Sequence, residues 1–171
     1  TGSTKFLDIA KRYADCVVKE VGPNAGQACV VPGHQIAEMA LARLYVITGE
    51  KKYMDFYENT YYNSILSSQN PETGMTTYFQ PMATGYFKVY SSPFDHFWCC
   101  TGRGMESFTK LGDTIYMHGD DTLYVNMYQS SILNWADKNM KITQESSIPD
   151  GNTSKFTIEG SGAVDFRFRI R

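Results

Sequence analysis

The amino-acid sequence predicts an α+β chain, helices first and strands last. Three observations carry this. Through residues 4–67, apolar side chains recur every three or four positions, the period of one helix face. A further helical run follows Gly104. Beyond Gly119-Asp120-Asp121 the period drops to two: Val164, Phe166, Phe168 and Ile170 alternate with Asp165, Arg167 and Arg169, as in a half-buried strand. The chain therefore divides into a helical domain over residues 1–118, holding a Cys-Cys turn, and a strand domain over residues 119–171 that reads as part of an antiparallel β-sandwich.

The first helix is expected from Thr4 to Glu20, with Phe6, Ile9, Ala10, Tyr13, Cys16 and Val17 on its apolar face. Cys16 is then a core thiol, and Cys29, in Ala28-Cys29-Val30-Val31, is also read as packing. Gly22-Pro23-Asn24-Ala25-Gly26 breaks the helix. Pro32-Gly33-His34 opens a second helix running to about Thr48, since proline suits a first turn. One stripe holds Ile36, Met39, Ala40, Leu44 and Ile47, and a neighbouring one holds His34, Glu38, Leu41 and Tyr45. The third helix spans about Lys52 to Ser67, with Tyr53, Phe56, Tyr57, Thr60, Tyr61 and Ile65 inward and Glu58 and Tyr62 on another face. Asn70-Pro71-Glu72-Thr73-Gly74 is a turn. Met75–Phe79 and Tyr86–Tyr90 read as a hairpin joined across Pro81 to Gly85. The fourth helix runs from about Gly104 to Tyr116, with Met105, Phe108, Leu111 and Ile115 inward. Strands are expected at Leu123–Tyr128, Met140–Glu145, Lys155–Ile158 and Val164–Ile170.

Composition narrows the function classes. Hydrophobic content of 42% and charged content of 20% fit an ordered globular chain. Aromatics reach 14%, which suits a carbohydrate cleft and an ordinary β-sheet alike. The net charge is −2 and no basic stripe exists, which argues against nucleic acid as a partner. No apolar run is long enough to span a bilayer, and the opening residues lack the regions of a signal peptide. Cysteines at positions 16, 29, 99 and 100 do not form the framework of a small secreted domain. A reducing, cytoplasmic compartment of bacterial type is the expectation.

The stretch that concentrates chemistry is Phe97-Trp98-Cys99-Cys100-Thr101-Gly102-Arg103-Gly104-Met105-Glu106. Neighbouring Cα atoms lie ~3.8 Å apart, whereas a relaxed disulfide wants roughly 4.4–6.8 Å, so Cys99 and Cys100 are not expected to pair. Three readings stay open. Both thiolates bind one zinc ion, which normally takes three or four protein ligands. One thiol is a nucleophile, activated by a metal, a base or the following helix. Or both are small buried hydrophobes. A lone His34-x-x-x-Glu38 spacing reads first as a capping or core histidine.

Several blocks carry a resemblance. Val31-Pro32-Gly33-His34-Gln35, Tyr61-Tyr62-Asn63-Ser64-Ile65-Leu66-Ser67-Ser68-Gln69, Glu72-Thr73-Gly74-Met75, the Cys99-Cys100 block and Lys110-Leu111-Gly112-Asp113-Thr114-Ile115-Tyr116 occur in the same order in the β-L-arabinofuranosidase-like glycoside hydrolases, glycoside hydrolase family 127 and its relatives. The resemblance implies an (α/α) helical toroid followed by β-sandwich domains, here about four helices plus a hairpin. It implies a retaining hydrolase acting on terminal β-L-arabinofuranosides. It also implies that Cys99 is the catalytic nucleophile, forming a glycosyl thioether, and that Cys99 and Cys100 are zinc ligands. His34, Glu58 and Tyr78 resemble residues lining the family's sugar site.

The departures from the family pattern are specific. The family completes its zinc site with a Glu-x-Cys element between the Pro-Gly-His and Tyr-Tyr-Asn blocks, and no Glu-x-Cys occurs in this sequence. The acid/base glutamate belongs to the same missing region. Both flanking family segments carry a Thr-Gly-acid-x-x-Tyr pattern, so a join near Thr48 to Tyr53 is expected, with the middle of the toroid lost. The resulting expectations are zinc absent or incompletely ligated, no activity by the chain alone, and uncovered apolar faces that are met by a homodimer, by a partial bundle of the chain's own or by another chain. The alternative reading is a non-catalytic carbohydrate-binding or zinc-binding structural module.

Overall fold

The computed structural model describes residues 3–30, 37–81, 83–162 and 164–171. The chain splits into two compact units, Thr1–Thr109 and Lys110–Arg171. The α+β class holds: helices fill the first unit, and two small sheets fill the second.

In the first unit, α1 is Lys5–Glu20, α2 is Ala37–Thr48 and α3 is Lys51–Thr60. The amphipathic reading of α1 holds, but its covering does not. Only Ala14 is buried, while Phe6 is 81% and Tyr13 70% exposed. Cys16 shares that open face and Cys29 is also exposed, so neither is the core thiol expected. Polar ties fasten the other side of α1: Lys52 Nζ lies 2.6 Å from Asp15 Oδ1, and the Tyr53 hydroxyl donates to the same carboxylate at 2.8 Å.

Gly49 takes a φ of 70° between α2 and α3, the left-handed conformation that ends a helix cheaply only in glycine. The buried face of α2 is Glu38, Leu41, Ala42, Leu44 and Tyr45, which takes Glu38, Leu41 and Tyr45 from the second expected stripe and Leu44 from the first. Ile47 of the first stripe is exposed. Tyr53, Met54 and Tyr57 of α3 pack inward. The helical path then widens into a π turn at Tyr61–Ile65 and tightens into a 3₁₀ turn at Leu66–Ser68. Asn70 Oδ1 accepts from the Glu72 and Thr73 N–H groups, the side-chain turn its sequence promised.

The expected hairpin is not a ladder. A single antiparallel bridge, Thr77 to Tyr90, joins its two halves. Pro81 offers no N–H to a ladder, and Phe79, Tyr86, Phe87 and Val89 project outward rather than onto a core. Helix α4 is Cys99–Thr109, so the cysteines form its first turn instead of preceding it. Of the two residues of α4 expected to face inward, Phe108 meets the Tyr61 ring edge-on at 6.3 Å, whereas Met105 is exposed. The helix buries Cys100, Thr101, Gly104 and Ser107. Gly104 permits this: a Cβ there would sit 2.8 Å from Thr76 Cγ2.

In the second unit, α5 is Gly112–Ile115, followed by β1 (Tyr116–His118), β2 (Thr122–Val125), β3 (Ser131–Trp135), β4 (Met140–Ser146), β5 (Ser154–Gly160) and β6 (Arg167–Ile170). One sheet has the order β1-β2-β6 and the other β3-β4-β5. β6 lies parallel to β2, with Leu123 opposite Phe168, whereas every pairing was expected antiparallel. Strands β1 and β3 were not foreseen. β1 lies where the fourth helix was expected to end, and Ser131 and Asn134 dilute the signal of β3. Leu123, Trp135, Met140 and Ile142 form the core, with Phe156, Phe166 and Phe168 against it.

Candidate functional site

The site is assembled on the first turn of α4. The Trp98 carbonyl accepts from the Thr101 N–H at 3.0 Å and the Gly102 N–H at 3.3 Å, so the turn is closed immediately behind the cysteines. Cys99 is exposed and Cys100 buried. Helical neighbours point about a hundred degrees apart, which is why one thiol of an adjacent pair faces out and the other in. The two thiols are hydrogen-bonded to each other, and burial, followed by that bond, pushes the Cys100 thiol up from its ordinary range. Unsatisfied N–H groups at this helix end favour negative charge.

Tyr78 comes to the same place from the preceding loop. The charges that Cys99 and then Cys100 would carry, and a hydrogen bond to Cys99, push the Tyr78 hydroxyl up from the ordinary tyrosine range. It therefore stays protonated beside Cys99. Its ring meets the Trp98 indole edge-on, with centroids 5.8 Å apart and planes at 77°. Tyr78 and Trp98 form one wall of a cavity of about 490 Å³, whose other sides include Phe79, Gln80, Tyr86 and Phe87.

Of the residues singled out from the sequence, Cys99, Cys100 and Tyr78 are brought together. Glu58 stands half-buried on α3 in the same unit and is engaged by another group. His34 lies outside the described residues. The two thiols would be two of the three or four protein ligands that zinc normally takes, and among the described residues no group of three or more His, Cys, Asp or Glu lies together. The described residues thus do not make a closed zinc site.

Sequence reasoning missed three features. The cavity is one, although eight aromatics between Tyr78 and Trp98 signalled it. His96 is another: its ring lies 5.4 Å from Trp98 and its Nδ1 is 3.1 Å from Ser92 Oγ. The third is a set of buried hydroxyls, Ser64, Thr76, Ser91, Thr101 and Ser107, without hydrogen-bond partners among the described residues. Small polar residues scattered along a chain give no periodic signal, so only the packing of α4 could reveal them.

Comparisons with known proteins place the chain among the glycoside hydrolases. A model described as β-L-arabinofuranosidase, GH127 catalytic domain, matches residues 1–56 and 50–113, and the GH127 middle domain matches residues 122–171. The chain therefore belongs to the GH127 β-L-arabinofuranosidase family. A curated relative, the non-reducing end β-L-arabinofuranosidase of Bifidobacterium longum subsp. longum, is 44% identical over 54 residues, 32% of this chain and 8% of that protein. A solved glycoside hydrolase superposes on 79% of this chain and 24% of its own length, with a TM-score of 0.61 and 21% identity. A GH127 β-arabinofuranosidase structure covers all of this chain and 47% of its own length, with a TM-score of 0.43 and 21% identity. The chain thus spans less than half the length of these relatives.

Proposed function

We propose that this chain carries the nucleophile half of a retaining β-L-arabinofuranosidase site, with Cys99 as nucleophile. The observation that supports it is the exposed Cys99 thiol on the first turn of α4, with Tyr78 close enough for the charge on Cys99 to push its hydroxyl up. Cys99 sulfur attacks the anomeric carbon, the bond to the leaving oxygen breaks, and the thiol proton passes to solvent. Tyr78 and Glu58, with His34 from outside the described residues, hold the sugar. Zinc receives no step, because only Cys99 and Cys100 of its expected ligands are present.

The family model matches in two stretches that overlap at residues 50–56, which supports a join of separated catalytic-domain segments near Thr48 to Tyr53. The acid/base glutamate falls in the gap. General acid catalysis typically contributes ~10²–10⁴-fold, so the chain alone is inactive toward ordinary glycosides. An aryl leaving group departs as a stable phenolate and needs no acid. Incubated with para-nitrophenyl β-L-arabinofuranoside, the protein is expected to gain one pentosyl unit by intact mass, mapped to Cys99 and lost in Cys99→Ser. An adduct elsewhere, or none with sugar demonstrably bound, would remove Cys99 from the nucleophile role.

A further inference from the structure

We infer that the outer edge of β5 is a self-association surface. A second copy of this chain lays its own β5 against it, antiparallel, with Thr157 opposite Thr157 and Lys155 opposite Glu159. The surface lies in the second unit, apart from the cysteine turn. β5 spans Ser154–Gly160 and ends the sheet order β3-β4-β5. Among the described residues, one of its edges pairs with β4 and the other with no strand. All seven of its residues pair one-to-one with β4, an unbulged run of about 24 Å at ~3.4 Å per residue. The other edge strands are shorter: β1 has three residues, β3 five and β6 four. An open edge presents backbone N–H and C=O groups that accept a further strand, and proteins commonly block it with a proline, a bulge or a short edge. β5 carries none of the three.

The side chains choose the occupant. Lys155, Thr157 and Glu159 alternate with Phe156 and Ile158, so they share the outer face of the sheet. Lys155 Nζ lies 3.0 Å from Glu145 Oε2, and Lys141 Nζ lies 3.2 Å from Glu159 Oε2, both across β4 and β5. A two-fold axis at Thr157 continues this pattern. Each charged row then runs Glu145, Lys155, Glu159 of the second copy and Lys141 of the second copy, with the sign alternating at every step. Opposite charges on facing residues stabilise a strand pair. Sliding the copies by two residues sets Thr157 against a charge, and sliding by four sets Lys155 against Lys155 or Glu159 against Glu159. An odd slide turns the strand over. On the inner face the same register sets Phe156 against Ile158. Ile158 is 46% exposed although its β4 partner Ile142 is fully buried, so the incoming Phe156 covers it. A patch complementary to itself is what a two-fold contact requires.

The test is sedimentation equilibrium of the full chain, with a reductant present to keep the exposed cysteines out of the result. The parent is expected to dimerise. Lys155→Glu and Glu159→Lys each set like charges against like across the axis, and each should weaken the dimer roughly ten- to a hundred-fold. Mixed in equal amounts, the two variants face each other with opposite charges at both positions and should recover the dimer. Recovery on mixing separates a lost contact from a lost fold. Phe6→Ser and Tyr13→Ser, on the open stripe of α1, should leave the dimer unchanged. A monomeric parent overturns the inference. So does a dimer indifferent to both charge reversals, one that mixing fails to recover, or one lost with the α1 substitutions.

Discussion

Glu38 is where burial and charge conflict most openly. It is 1% exposed, its Oε2 has no hydrogen-bond partner among the described residues, and burial pushes its carboxyl up from the ordinary value of 4.5. The unfolded chain ionises Glu38 first as pH rises, while the folded chain resists. Stability is therefore full below pH 4.5 and is lost as pH climbs toward the raised folded value. Glu38→Gln should flatten this dependence. In urea melts across pH, the variant is expected to match the parent in acid and to exceed it near neutrality, by about 1–3 kcal/mol. An unchanged difference between variant and parent at all pH values would show that Glu38 does not titrate on folding. Charge statistics alone would leave this residue solvated. The stripe of His34, Glu38, Leu41 and Tyr45 was legible, but which of two stripes faced inward was not, because that depends on what α3 presents to it.

At the scale of elements, α4 is held by contact rather than by a greasy stripe. Gly104 lets the helix approach Thr76, and the methyl of an alanine would meet Thr76 Cγ2 at 2.8 Å. Gly104→Ala should destabilise the first unit by about 1–3 kcal/mol despite its better helix propensity. Thr76→Ser removes the opposing methyl, so the double variant should recover most of the loss in thermal melts. If the single substitution stabilises instead, the approach of α4 to Thr76 is looser than described. The sequence could not announce this packing. Its inward candidates on α4 were chosen by hydrophobicity: Phe108 does meet Tyr61, but Met105 is exposed, and Gly104 and Ser107 are inward because they are small. Helix existence was legible throughout from three- and four-residue spacing. The cysteine block stood out because Trp98-Cys99-Cys100 combines rare residues, and the structure places the two cysteines on the first turn of α4. The outward course of the segment between Thr77 and Tyr90 was not, because strand-like composition and an aromatic cavity wall look alike without knowledge of what the rings touch.

At the scale of the whole molecule, the two units differ in how completely each satisfies its own groups. The first carries partnerless buried hydroxyls, a buried carboxyl and the open stripe of Phe6, Ile9 and Tyr13. That stripe is the face through which the expected self-association would run. The second closes Leu123, Trp135, Met140 and Ile142 behind three phenylalanines, and its buried Gln144 accepts from Tyr116 at 2.7 Å and donates to Ser154 at 3.0 Å, which leaves the side chain of Asn126 as its one buried side chain without a hydrogen-bond partner among the described residues. Unmet polar groups and uncovered apolar surface lower the stability of a unit, and units with separate cores need not unfold together. The two tryptophans report them separately, Trp98 in the first unit and Trp135 in the second. In urea, Trp98→Phe should show a late transition from Trp135, and Trp135→Phe an earlier one from Trp98. Coincident transitions would mean that the units share one cooperative core, and an earlier Trp135 transition would mean that unmet hydroxyls cost the first unit less than its buried tyrosines and methionine return.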